Sequence, residues 1–205
     1  MPKNNIILFD NARVLVWKIT EKIDELKLKL KELGENEFEQ IVSEKRKLEY
    51  LGIRVALSEL LGEEIRICYT DERKPYFVNN KYELSVSHSG EWIAVMIHPK
   101  RPVGIDIEIP TLKIQKVYTR FLSETEQHEL SNGQDLKQLQ IAWSAKEALY
   151  KIIGNEAVDF ANQLRIFPFE VNEEGEISAE HIPTKKTYHL RYLQHSDYTL
   201  VYCLA

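Results

Sequence analysis

The apolar residues of this chain recur with two different periods, and the switching between them limits the possible fold more than any other sequence feature. Stretches such as VGIDIEI, residues 103–109, alternate apolar with other residues, which predicts β-strands. Other stretches place apolar residues every three or four positions, which predicts amphipathic helices. Because strands and helices are followed by strands and helices again, we predict an α+β protein with two halves, residues 1–102 and 103–205.

The predicted elements begin with a β-hairpin whose turn is the pair Asp10-Asn11. Strands are expected at residues 6–9, 14–17, 65–69, 83–87, 92–97, 103–109, 188–193 and 198–204, with a turn at 71–75. Helices are expected at residues 19–33, 38–61, 112–121 and 135–153.

The composition is typical of a folded protein with a buried core. Of the 205 residues, 43% are hydrophobic and 29% are charged, so the chain is not expected to be disordered. The net charge of −5 argues against a nucleic-acid partner. The sequence has no apolar run of the roughly 18 residues that a membrane span needs, and residues 1–10 lack the long apolar region of a signal peptide, so we expect neither. With Cys68 and Cys203 expected as reduced thiols, we predict a cytoplasmic protein without membrane contact.

The acidic residues of VGIDIEI are the first candidates for chemistry. Asp106 and Glu108 are two positions apart, so in a strand both carboxylates point to the same side. They either line a solvent-exposed face or share a hard cation such as Mg²⁺, which prefers oxygen ligands. Gly104, on the same side, indicates close approach by a ligand or by another backbone.

The stretch WSAKEALYK, residues 143–151, lies within the predicted helix 135–153. Glu147 and Lys151 are four residues apart and share a helical face. They form either an ordinary surface pair worth about 0.2–0.5 kcal/mol or a third metal-binding carboxylate beside a phosphate-binding lysine. Lys146 is about 100° further round the helix, where it faces a neighbouring part of the same anion or water.

Three further groups each have a structural and a functional interpretation. In SVSHSG, residues 85–90, His88 is either structural or a hydrogen-bond donor to a phosphate. In FLSETE, Ser123 and Glu126 form a capping box, and Glu126 is also a candidate base or metal ligand. Lys45 and Arg46 form part of either a solvated helix face or an anion site.

Taken together, these motifs resemble the 4'-phosphopantetheinyl transferase superfamily, specifically its longer Sfp-type enzymes. The resemblance extends over residues 74–151 and rests on Lys74-Pro75, SVSHSG, VGIDIEI, FLSETE and WSAKEALYK. Its most specific part is G-[IV]-D-x-E followed about forty residues later by W-S-x-K-E-A-x-x-K. The resemblance implies a pseudo-twofold fold of two similar α+β halves.

The resemblance also implies an activity. Enzymes of this kind transfer 4'-phosphopantetheine from coenzyme A to a serine of an acyl or peptidyl carrier protein and release adenosine 3',5'-bisphosphate. By resemblance, Asp106, Glu108 and Glu147 are the Mg²⁺ ligands, and Lys151 compensates charge on the leaving phosphate. Glu126 matches the glutamate that accepts or relays the serine proton.

Six further residues are implied to bind coenzyme A. They are Lys45, Arg46, Lys74, Ser87, His88 and Lys146. His88 matches a histidine at the 3'-phosphate, and Lys74 a lysine near the adenine nucleotide. We expect a monomer, because fused halves need no second subunit to complete the site. The alternatives are a non-catalytic module that binds coenzyme A or a carrier protein, and a metal-dependent phosphohydrolase.

Overall fold

The computed structural model describes residues 5–30, 35–63, 66–70, 74–130, 133–154 and 158–205. The chain divides into two compact units, Met1–Lys100 and Arg101–Ala205. Each unit has its own antiparallel sheet and its own hydrophobic core. The predicted α+β class is therefore confirmed.

The first unit combines a four-stranded sheet with one long helix. Its elements are β1 Asn5–Phe9, β2 Ala12–Lys18, α1 Ile23–Lys27, α2 Glu35–Glu39, α3 Glu44–Leu61, β3 Ile67–Tyr69, β4 Pro75–Phe77, β5 Glu83–Ser89 and β6 Trp92–His98. The sheet order is β1-β2-β6-β5, and β3 and β4 form a separate pair. The long helix α3 packs on β2 and β6 and buries one side in the core.

The predicted hairpin is confirmed, since β1 and β2 pair across Asp10 and Asn11, which have φ angles of 45° and 64°. Aspartate and asparagine tolerate this left-handed conformation better than most residues. The predicted helix 19–33 is wrong in length: only α1 is helical among the described residues, and 31–34 lie outside them.

The predicted helix 38–61 is interrupted. The short helix α2 ends at Glu39, and α3 begins at Glu44 after Ser43, whose hydroxyl accepts the backbone N–H of Arg46 at 3.5 Å. A serine at this position stabilises a new helix start, so one periodic stretch becomes two helices. The helix α3 ends as predicted at Gly62, with a φ of 72°.

The predicted strands of the first unit are found as β5 and β6, and as β3 where it is described. Residues 64–65, at the start of the predicted strand 65–69, and residues 71–73 of the predicted turn lie outside the described residues. The predicted turn was wrong at its end, because Pro75 opens β4.

The second unit places a long helix across a five-stranded sheet. Its elements are β7 Val103–Glu108, α4 Ile114–Val117, a 3₁₀ turn at Tyr118–Arg120, α5 Glu124–Glu129, α6 Leu136–Ile153, α7 Phe160–Gln163, β8 Leu164–Ile166, β9 Glu174–His181, a 3₁₀ turn at Ile182–Thr184, β10 Lys186–Gln194 and β11 Thr199–Leu204. The sheet order is β7-β11-β10-β9-β8. Helix α6 packs on β7 and β11.

The long helix was predicted correctly, and Asp135 caps it by accepting the backbone N–H groups of Lys137 and Gln138. The predicted strands that became β7, β10 and β11 are also confirmed. The predicted helix 112–121 is shorter, being helical only in α4 and the 3₁₀ turn after it. Strands β8 and β9 were missed.

Both cysteines of the chain lie among the residues that the structure describes. Cys68 and Cys203 are both free thiols, as expected, and burial raises the pKa of Cys203 to about 12. Of the helices that the structure describes, none has the length and apolar character needed to cross a membrane.

Candidate active site

The strand β7 and the helix α6 touch through their backbones. A Cβ atom on Gly104 would collide with the carbonyl oxygen of Ala148, so only glycine fits at this position. The close approach indicated by Gly104 is therefore to another backbone. Since Asp106 and Glu108 share the side of Gly104, they face α6 as well.

Asp106 is buried beneath this helix, with 4% of its surface exposed. Lys151 of α6 donates hydrogen bonds to Asp106 Oδ1 at 3.0 Å and to the carbonyl oxygen of Ile105 at 2.7 Å. The interpretation of this side of the strand as solvent-exposed is thus wrong for Asp106. The strand is covered on both faces, a situation that alternation cannot reveal.

Glu108, at the end of β7, is half-buried and is contacted by two residues of α6. Trp143 Nε1 donates to Glu108 Oε1 at 3.4 Å. Gln140 Nε2 donates to the backbone oxygens of Glu108 and Ile109 at 3.1 and 2.8 Å. Trp143 is itself held edge-on by Phe121, with ring centroids 5.1 Å apart.

Sequence reasoning did not single out Trp143 or Gln140. The signal for Trp143 was its position four residues before Glu147, because residues spaced by four lie on one side of a helix. Trp143, Glu147 and Lys151 therefore form one row on α6. In this row, Trp143 donates to Glu108 of β7 and Lys151 donates to Asp106 of β7.

Glu147 lies between them in this row and has a raised pKa. Burial, followed by the charge of Asp106, raises its pKa to about 7, with a smaller contribution from Glu108. The Lys151 ammonium acts in the opposite direction without cancelling the effect. The three carboxylates are therefore close enough for their charges to oppose each other, an arrangement that a bound cation would relieve.

The chemistry of this donor set suits a hard divalent cation, since all three side chains offer carboxylate oxygen. Within the described residues, no group of three or more histidine, cysteine, aspartate or glutamate side chains is already arranged to hold a metal ion. The structure instead pairs Asp106 with the ammonium of Lys151. The three carboxylates that such a site requires are close together, and the ammonium of Lys151 lies beside one of them.

Glu126 and Lys146 lie elsewhere in the second unit, enclosed in its core. Their exposed fractions are 1% and 0%, and their charged groups are 2.7 Å apart. The predicted capping box is present, since Ser123 accepts the N–H of Glu126 and donates to its carboxylate. Burial lowers the pKa of Lys146 to about 8, and the charge of Glu126 opposes this effect.

In the first unit, Lys45 and His88 both approach Glu49. His88 Nδ1 lies 3.2 Å and Lys45 Nζ 3.8 Å from Glu49 Oε1. Arg46 is exposed beside Lys45 in the first turn of α3. Sequence reasoning missed Glu49, although its spacing of four from Lys45 was a signal.

The other two predicted residues of the first unit, Ser87 and Lys74, lie in or next to different strand pairs. Ser87 is buried in β5, opposite Ala94 of β6. Lys74 is half-buried directly before β4, and its backbone N–H donates to Thr70 Oγ1 at 3.2 Å. The structure thus brings Lys45 and His88 together around Glu49, and places Lys74 beside the β3–β4 pair.

The sequence of this chain is similar to those of known proteins. Residues 102–203 match the sequence model of the 4'-phosphopantetheinyl transferase superfamily. The chain belongs to this superfamily. The matched stretch covers nearly the whole second unit and contains the contacting residues of β7 and α6. The superfamily resemblance inferred from the motifs is therefore confirmed.

Several phosphopantetheinyl transferases are similar to this chain. It is 30% identical over 118 residues to the 4'-phosphopantetheinyl transferase AcpT of Salmonella typhi, covering 55% of this chain and 62% of the relative. It is 28% identical over 99 residues to the 4'-phosphopantetheinyl transferase Sfp of Bacillus subtilis, covering 47% and 42%. A phosphopantetheinyl transferase of Thraustochytrium is 27% identical over 148 residues, covering 62% and 50%. The chain spans about half the length of these relatives.

Proposed function

We propose that this protein is a holo-carrier-protein synthase, which transfers 4'-phosphopantetheine from coenzyme A to a serine of an acyl or peptidyl carrier protein. The other product is adenosine 3',5'-bisphosphate, and the reaction depends on Mg²⁺. The observation that carries the proposal is the row Trp143, Glu147 and Lys151 packed against Asp106 and Glu108, within the stretch that matches the superfamily.

In this reaction the serine oxygen forms a bond to the β-phosphorus of coenzyme A. The bond from that phosphorus to the bridging oxygen breaks, and the nucleotide leaves with the bridging oxygen as part of its phosphate. Asp106, Glu108 and Glu147 would hold Mg²⁺, which supplies charge neutralisation at the pyrophosphate when bound. The serine proton passes to a base at this site or to water.

Two side chains have a defined part in positioning these groups. Lys151 is partly exposed and donates to Asp106, so its ammonium can reach a phosphate oxygen while remaining near the carboxylates. There it offsets the negative charge that develops on the leaving phosphate. Trp143 orients the Glu108 carboxylate through its indole N–H.

We also propose that the first unit binds the nucleotide end of coenzyme A. Lys45, Arg46 and His88 are exposed, and Lys45 and His88 approach the carboxylate of Glu49, which supports an anion-binding role for this surface. A phosphate would replace Glu49 as their partner. Lys74 and Ser87 complete the set of residues assigned to this end.

The remaining parts of the proposal concern organisation. We propose that residues 1–102 and 103–205 are two halves related by a pseudo-twofold axis, and that the protein acts as a cytoplasmic monomer. The support for related halves is that each unit combines an antiparallel sheet with an 18-residue helix. Free thiols at both cysteines agree with a reducing compartment.

The test is a mass measurement on candidate carrier proteins. The protein is incubated with coenzyme A, Mg²⁺ and several apo-carriers, and each carrier is then weighed by mass spectrometry. We expect a mass increase of one phosphopantetheine arm on at least one carrier, and no increase with EDTA or with a carrier whose serine is replaced by alanine. Binding of coenzyme A or a carrier without any mass increase would support a non-catalytic module instead.

A phosphohydrolase would be recognised in the same mixtures. It would release adenosine 3',5'-bisphosphate from coenzyme A when no carrier is present. The proposed transferase requires the carrier for nucleotide release, so nucleotide formation measured with and without carrier separates these two activities.

A further inference from the structure

The ammonium group of Lys146 is fully enclosed by protein oxygen atoms. It donates to the carbonyl oxygens of Phe121, Phe160 and Leu164 at 2.8, 2.8 and 2.7 Å, and to Glu126 Oε2 at 2.8 Å. A lysine has three N–H donors, so these four acceptors already exceed its capacity. Lys146 therefore has no donor left for the phosphate of a substrate.

Both carboxylate oxygens of Glu126 also have hydrogen-bond donors within the protein. Its Oε1 accepts the backbone N–H of Ile166 at 2.8 Å and lies 2.7 Å from Lys146 Nζ. Its Oε2 accepts from the backbone N–H and the hydroxyl of Ser123, at 2.8 and 2.9 Å, and from Lys146. Four donor groups therefore surround the carboxylate, which has roughly four acceptor positions, and the Lys146 ammonium contacts both of its oxygens.

The Glu126–Lys146 pair connects α6 to four surrounding segments. Through backbone atoms it contacts the end of the 3₁₀ turn at Phe121, the start of α5 at Ser123, the helix α7 at Phe160 and the strand β8 at Leu164. Rotation of α6 about its axis would break these hydrogen bonds. The pair therefore opposes rotation of this helix, in addition to the contacts that Gln140, Trp143 and Lys151 make with β7.

Lys146 directly precedes Glu147 and lies about 100° from it around the helix. A helix held by Lys146 in one direction must present Glu147 in another fixed direction. That direction is toward Asp106 and Glu108, because Glu147 lies on the same face of α6 as Trp143 and Lys151, whose side chains donate to those two residues. The buried pair and the carboxylates are therefore coupled through one rigid turn of α6.

We propose that Glu126 and Lys146 are positioning residues, which aim Glu147 at β7 and do not themselves contact substrate. This inference rests on the proposed function for the role of Glu147. It differs from the assignment by resemblance, in which Glu126 takes the serine proton and Lys146 binds coenzyme A. The two assignments predict different losses when the pair is removed. A positioning role predicts weaker binding of divalent cations, whereas a direct role of Glu126 in proton transfer predicts a lower kcat and an altered pH profile.

The test uses the double variant Glu126→Leu/Lys146→Met, which replaces both charges with apolar side chains of similar size. Removing both partners of a buried ion pair generally preserves folding better than removing one. Near-UV circular dichroism and thermal unfolding report the fold. Isothermal titration calorimetry with Mn²⁺ alone reports divalent cation binding, and carrier transfer gives kcat and its pH profile.

We expect the double variant to fold and to bind Mn²⁺ about 10- to 100-fold more weakly, as is typical when groups that orient metal ligands are lost. The Mg²⁺ concentration for half-maximal transfer should rise by the same factor, with most of kcat recovered at saturating Mg²⁺. Tyr192→Phe is the matched control, because it removes hydrogen bonds to Glu170 and Asn172 in the same unit. It should lower the unfolding temperature without changing Mn²⁺ affinity.

Two results would overturn the inference. Unchanged Mn²⁺ affinity with a loss of kcat and an altered pH profile would make Glu126 a proton acceptor. If neither the Mn²⁺ affinity nor kcat changes, the pair serves only to stabilise the fold. If the double variant does not fold, Ser123→Ala is measured instead, because this substitution removes the hydrogen bond from the Ser123 hydroxyl to Glu126 Oε2. We expect Ser123→Ala to bind Mn²⁺ more weakly. An unchanged Mn²⁺ affinity in this variant would refute the inference.

Failure of the proposed function is seen separately. If the wild-type protein modifies no carrier, the transferase proposal fails, but the Mn²⁺ measurements still decide whether the pair positions the carboxylates.

Discussion

Replacing Glu147 by glutamine should stabilise the metal-free protein once the pH exceeds the ordinary glutamate pKa of 4.5. Burial and the charges of Asp106 and Glu108 raise the pKa of Glu147 from 4.5 to about 7. One pKa unit corresponds to roughly 1.4 kcal/mol, so ionisation of Glu147 in the folded state costs about 3 kcal/mol. Glutamine has nearly the same shape and carries no charge, so Glu147→Gln avoids this cost.

The direction of the pH dependence follows from proton binding. Below pH 4.5 the Glu147 carboxyl is protonated in both the folded and unfolded protein, and its contribution to stability is unaffected. Between 4.5 and about 7 the folded state holds the proton more tightly, so this contribution declines as the pH rises. Above about 7 the full cost is present. The advantage of Glu147→Gln should therefore grow from near zero to about 3 kcal/mol.

Urea unfolding in EDTA at pH 4.5, 6 and 8, followed by tryptophan fluorescence, measures this difference. Adding Mg²⁺ at pH 8 should stabilise the wild type more than Glu147→Gln, because cation binding removes the repulsion among the carboxylates. Glu176→Gln is the control, since it neutralises an exposed carboxylate that pairs with Arg191 and should give no such gain. A stability difference that does not change with pH would refute the electrostatic reasoning.

Three other substitutions test the contact between β7 and α6. Asp106→Asn should lower kcat/KM for carrier transfer by about 100-fold or more while near-UV circular dichroism stays native, because one metal-binding charge is lost. Gly104→Ala should lower the free energy of unfolding in urea by about 1–3 kcal/mol or more, because its methyl group collides with the α6 backbone. Trp143→Phe keeps the ring packing but removes the donor to Glu108, so the Mg²⁺ concentration for half-maximal transfer should rise; unchanged Mg²⁺ dependence would contradict that role.

The parts of the fold predicted from sequence are those where local and tertiary preferences agree. The helix α6 has a long apolar row, an aspartate cap and a glycine at its end, and it was predicted with nearly correct bounds. The helix at residues 19–33 had the same period, but only α1 forms among the described residues. Strands β8 and β9 were missed because β8 is only three residues long and β9 carries several glutamates.

The site was predicted in part for a related reason. Spacing placed Asp106 with Glu108, and Glu147 with Lys151, but it could not show that the two rows face each other. It also could not show that α7 and β8 enclose Lys146, because that burial depends on segments distant in the chain. Single-sequence patterns report which residues share a face, whereas the covering of that face is decided by tertiary packing.

The enclosure of Lys146 also has a consequence for chemical labelling. Its lowered pKa would make the amine a good nucleophile toward acylating reagents, but the surrounding oxygens leave no path for a reagent. Lys151, with about a quarter of its side chain exposed, is open to the same reagents in the native protein. Acylation of Lys146 therefore requires opening of the second unit. The rate of this acylation, measured by peptide mass mapping, would report the rate at which the second unit opens.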